Sequence, residues 1–256
     1  MKRPKLSTIL WLLLTSVGIV LICLTRAPAL AQDASSSQKI YFSLSLIFTI
    51  GSLIVMILSL MPVQRKTDTR TLAMASLFAA LCYIGFAYCK IDIPVGMEKT
   101  AFHLGNVFCV LAALLLGGFW GGMSGAVGLT IADLTTAYVT SAPKTFVLKL
   151  GIGLITGLIA HKVFKISQER SRKIPLPVAT VLSCAGGMAF NMVADPLVGY
   201  FYKMYVLGVP QKAASIWVKI GALTTAVNAL VAVIVATVLY LALRPALKRT
   251  RLLPHI

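Results

Sequence analysis

The chain has 256 residues, 58% hydrophobic and 12% charged, with a formal net charge of +17. A soluble globular domain carries about 25% charged residues, so a soluble fold is excluded. A nucleic-acid-binding reading of the positive charge falls with it, because the cations sit in short loops between apolar runs, where they set membrane orientation. Several apolar runs approach the ~20 residues needed to cross the hydrocarbon as helix. The fold class is therefore an all-α polytopic membrane protein.

Met1 to Lys5 is basic, Leu6 to Thr25 is apolar, and Ala29-Leu30-Ala31 has the small residues of a cleavage site. This grammar fits a cleaved signal peptide or a retained helix at 6–25, and both stay open. Bulky Ile22 before Cys23 argues against a lipoprotein. After a polar loop at 26–39, a further hydrophobic helix is expected at 40–62. Residues 1–66 thus form an N-terminal extension, and residues 67–256 the main membrane domain.

Six core helices are expected in that domain, at about 71–89, 103–118, 121–141, 144–161, 175–201 and 214–243. A loop through Lys90, Asp92, Pro94, Glu98 and Lys99 follows the first. A turn through Gly117, Gly118, Gly121 and Gly122 joins the second and third. The basic loop HKVFKISQERSRK follows the fourth. With both termini inside, fifteen Lys and Arg fall in inner segments and seven in outer ones, as the positive-inside rule requires. The five cysteines, Cys23, Cys82, Cys89, Cys109 and Cys184, lie in or beside apolar segments without metal-ligand spacing, so neither metal nor cofactor is expected.

This topology gathers polar residues at the outer end of the bundle. His103 and Asn106 open the second helix, and Asp133 and Tyr138 close the third. Lys149 enters the fourth, and Asn191 and Asp195 share a face of the fifth at i,i+4 spacing. Trp217 and Lys219 begin the sixth, with Asn228 about 13 Å deeper at 1.5 Å per residue. The inner halves are almost purely apolar, which argues against a continuous channel. An apolar cavity with a few polar anchors is the usual form of a small-molecule site, and these ten residues are the candidate substrate-binding set. The alternative is that Asp133 and Asp195 merely neutralise Lys149 and Lys219 and glue the bundle. Near the inner end of the first helix, Ala75 and Ala79 form a small-xxx-small stripe, a feature that lets another helix approach closely.

A second reading rests on Gly122-Met123-Ser124-Gly125, His161 and the H-x-x-N at His103–Asn106, which are similar to the serine–histidine dyad of rhomboid intramembrane proteases. A dyad needs Ser124 and His161 within hydrogen-bond reach.

Several segments together carry a stronger resemblance: the alanine-rich TLAMASLFAALCY, HLGN, the hairpin AALLLGGFWGGMSGAVG, and ADLTTAYVTSAPKTFVLKLGIGLITGL. They resemble the substrate-binding S component of energy-coupling factor (ECF) vitamin transporters, closest to the riboflavin-type branch. The N-terminal extension departs from the minimal pattern of that family, adding one or two hydrophobic helices to the six-helix core. The resemblance implies a non-enzymatic subunit of a bacterial plasma membrane importer, with its C-terminus cytoplasmic. Such a subunit captures a vitamin or vitamin precursor in an outward cup covered by the loop Lys90–Thr100. It then docks through Ala75 and Ala79 onto a transmembrane T component that carries two cytoplasmic ATPases. The chain itself contains no G-x-x-x-x-G-K-[ST] loop.

Overall fold

The computed structural model describes residues 68–95, 98–168 and 174–250, together with Leu14, Val17 and Val20, which are helical. The expected helix at 40–62 and the fate of residues 1–31 otherwise lie outside the described residues. By compactness the chain divides into Met1–Val63 with Phe201–Pro210, and Gln64–Tyr200 with Gln211–Ile256. In the first unit the described segment Phe201–Pro210 contains a π-helical turn, Tyr202–Val206, with the rings of Phe201 and Tyr205 stacked 6.1 Å apart.

The second unit is the six-helix body. Helix α1 (Thr69–Ala87) starts at Asp68, whose side chain accepts the Arg70 N–H. The stretch expected as a loop is instead an antiparallel hairpin. Its strands, β1 (Lys90–Val95) and β2 (Glu98–His103), pair in the register Lys90↔His103 to Val95↔Glu98. The Leu104 N–H donates to the Gly85 carbonyl at 2.9 Å, returning the chain to the end of α1. Helix α2 (Gly105–Leu116) is buried at every position but Phe108. A helix apolar on all sides belongs in the centre of a bundle, and this one, about 18 Å long at 1.5 Å per residue, is the core of the molecule.

Gly117, at φ 84°, is the whole break between α2 and α3 (Gly118–Leu134). The expected four-glycine turn is thus one residue, and Gly118, Gly121 and Gly122 lie inside α3. There they permit close approach. A Cβ on Gly121 would strike the Ala113 backbone of α2, and one on Gly128 the Ala79 carbonyl of α1. Gly122 faces Gly153 of α4 (Ala142–Gly157) with no room for a side chain on either. Three neighbours therefore pack backbone-to-backbone on α3, as small residues allow in membrane bundles.

Helix α3 ends at Leu134, seven residues earlier than expected. A turn and the 3-10 segment Val139–Ser141 follow, and Pro143 sits in the first turn of α4, where its missing N–H costs nothing. Helix α4 runs on as the π-helical turn Leu158–Val163. Helices α5 (Leu176–Phe201) and α6 (Gln211–Arg249) complete the body. Among the described residues, α1, Val139–Val163, Leu176–Val206 and α6 are long and apolar enough to cross a membrane.

Candidate functional site

The hairpin attaches to the bundle unequally along its two strands. On β2, the Asn228 side chain of α6 accepts the His103 N–H at 3.0 Å and donates to the Ala101 carbonyl at 2.9 Å. The His103 Nδ1 accepts the Gly105 N–H at 3.1 Å, and its ring meets Phe86 edge-on at 4.7 Å between centroids. Burial beside Lys149 and Lys90 lowers the His103 pKa to about 3, so the imidazole is neutral. On β1, Asp92 accepts the Tyr138 hydroxyl at 2.8 Å. Lys90 lies 3.5 Å from Asp92 and stands over the rings of Tyr138 and Phe86, at 4.8 and 5.4 Å. Burial and the Asp92 carboxylate push the Tyr138 phenol up, which keeps it a donor.

Beside the hairpin, two carboxylates are already engaged. Asp195 on α5 pairs with Lys144 of α4 at 2.8 Å and accepts the Thr225 hydroxyl of α6 at 2.8 Å, so three helices meet at one carboxylate. Asp133 is buried and accepts the Thr145 hydroxyl across the α3–α4 contact. The cation paired with Asp195 is therefore neither Lys149 nor Lys219. Lys144 stands at the very start of the helix expected at 144–161, and the observed start of α4 at Ala142 sets it inside the first turn.

What remains is a set of uncommitted polar groups. Lys149, five residues further along α4, has no hydrogen-bond or ion-pair partner among the described residues, although Asp195, Asp133, Lys144 and Cys109 all bear on it electrostatically. The amide oxygens of Asn106 on α2 and Asn191 on α5 are buried without a hydrogen-bond partner among the described residues. Buried polar atoms are paired in more than about 90% of cases, so these two amide oxygens, like the Thr130 and Thr156 hydroxyls, call for an explanation.

The other candidates fall elsewhere. Lys219 is exposed on α6, and Trp217 is half-buried. Ala75 is buried, its carbonyl accepting the Ser124 hydroxyl at 2.8 Å, and the Ala79 backbone packs on Gly128. Both alanines therefore serve the α1–α3 contact, and the face of α1 turned away from the body carries Ala73, Ser76, Leu77 and Ala80. The Ser124 hydroxyl also lies 2.8 Å from the Trp120 carbonyl, while His161 contacts Ser167 and the Ala113 carbonyl at the end of α2. Each satisfies local backbone, and the two do not pair, so the dyad is not assembled.

A family model described as "ECF-type riboflavin transporter, S component" matches residues 66–245. No curated protein and no solved structure gives a match. The match spans the whole six-helix body, from the start of α1 into the end of α6. This multi-pass membrane chain belongs to the S components of ECF-type riboflavin transporters, the substrate-binding subunits of a transport system.

Proposed function

We propose that this chain captures riboflavin or a closely related vitamin from outside a bacterial cell and delivers it through a T component driven by two cytoplasmic ATPases. The observation that carries the ligand reading is the uncommitted trio of Lys149, Asn106 and Asn191 beside the hairpin. Two buried amide oxygens accept ring N–H groups, and an ammonium donates to a ring carbonyl. A planar heterocycle bearing both supplies what these groups lack, at about 1–3 kcal/mol for each buried group it satisfies. Phe86 and Tyr138 offer aromatic edges at the rim. Asp133 and Asp195 shape the site through Thr145 and Lys144.

The plasma membrane location, the cytoplasmic C-terminus and the absence of enzymatic activity follow from the same reading. Docking to the T component uses the outward strip of α1, Ala73, Ser76, Leu77 and Ala80, because Ala75 is buried in the body and the Ala79 backbone packs on Gly128.

Native mass spectrometry of the mildly purified protein tests ligand capture. A bound mass equal to riboflavin or another vitamin, weakened at least tenfold by Asn191→Ala, is the expected result. An empty protein that also fails to take up any member of an added vitamin panel would overturn the reading.

A further inference from the structure

We propose that Asn228 is a positioning residue rather than a ligand contact, and that it makes β2 the fixed strand and β1 the moving strand of the cover over the site. Functionally this rests on the ligand-capture reading, but its structural basis is independent.

Both polar atoms of the Asn228 side chain are spent on one strand edge: Nδ2 on the Ala101 carbonyl and Oδ1 on the His103 N–H. Residues 101 and 103 point these groups away from β1, so the amide of Asn228 pairs the outer edge of β2 as a neighbouring strand would. An unpaired edge of that kind is a liability in any sheet. Asn228 is itself buried, and Ala101 with it. The adjoining turn adds the His103–Gly105 and Leu104–Gly85 hydrogen bonds, which leaves β2 tied to α6, α1 and α2.

Strand β1 is buried at its end, where Val95 enters the core, but among the described residues no buried side chain pairs its outer edge as Asn228 pairs that of β2. Ile91 is 69% exposed, and Asp92 and Pro94 are also exposed. Its polar ties to the body are the Asp92–Tyr138 hydrogen bond, which is exposed, and the stand of the half-buried Lys90 over Phe86 and Tyr138. Solvent-exposed contacts of this kind contribute little and break first. Opening therefore proceeds by release of Asp92 from Tyr138 and peeling of β1 from β2, while the outer edge of β2 stays bound to Asn228.

Hydrogen exchange on the full-length protein in nanodiscs, without ligand, separates the two strands. Tyr138→Phe keeps the ring and removes one exposed hydrogen bond. It should speed exchange in peptides covering 88–95, together with their ladder partners at 98–102, by roughly three- to tenfold, the equivalent of one net hydrogen bond, and leave the amides of His103 and Leu104 protected. Asn228→Ala should speed exchange of the His103 amide by roughly 30-fold or more, with α2 and α4 unchanged. With ligand, Tyr138→Phe should raise the association and dissociation rates together. Faster exchange of the His103 and Leu104 amides in Tyr138→Phe, or a protected His103 amide in a folded Asn228→Ala protein, would overturn the proposal. The exchange result stands whether or not a vitamin binds, so its failure is distinct from failure of the capture reading.

Discussion

Lys144 and Lys149 lie on the same helix, five residues apart, yet only Lys144 has a carboxylate within reach, at 2.8 Å from Asp195. The consequence is a division of labour between two lysines that look alike in sequence. One holds α4 to α5 and α6, and the other is left without a hydrogen-bond or ion-pair partner among the described residues.

Opposite mutational outcomes are expected from these two lysines. Lys144→Met strands a half-buried carboxylate and should cost about 1–3 kcal/mol, read as a drop in melting temperature. The Lys144→Met/Asp195→Asn pair should recover part of it. Lys149→Met removes an unpaired cation and should leave melting unchanged or raised, while weakening riboflavin binding at least tenfold. Thermal melts and ligand titration on the three variants check this. Equal destabilisation by both single changes would assign Lys149 to the frame.

The two faces of α1 give a second contrast. Ala80→Trp places bulk on the outward strip and should abolish cellular uptake with ligand binding intact. Ala75→Trp drives an indole into the α1–α3 contact, where overpacking costs about 1–3 kcal/mol or more, and should reduce folded protein and binding alike. Normal uptake by a well-expressed Ala80→Trp variant would remove this strip from the docking face.

Glycines offer a third. Gly153→Ala forces a methyl into the Gly122 backbone and should destabilise by at least about 2 kcal/mol. Gly221→Ala on α6 meets nothing within 4 Å, and should be neutral or stabilising by up to about 1 kcal/mol. Denaturation in mild detergent distinguishes them, and equal effects would show that helix propensity rather than close packing governs these sites.

The amino-acid sequence by itself determined the membrane class and the six helices of the body, and it pointed to His103, Asn106, Asp133, Tyr138, Lys149, Asn191 and Asp195 as polar groups toward one end. Hydropathy and the placement of cations dictate these, since spans must be apolar and orientation follows charge. Only the tertiary structure decided which groups pair. Whether Asp195 meets Lys144, Lys149 or Lys219 depends on the rotation of α4 and α6. Apolar helices surrounded by lipid and by one another carry little periodic signal to fix that rotation. The same weakness hid the orientation of α1, where Ala75 is buried and Ala79 half-buried while Ala73, Ser76 and Ala80 are exposed. The hairpin was hidden for another reason: its strands are short, charged and interrupted by Pro94, and they exist because α1, Tyr138 and Asn228 hold them from outside their own sequence.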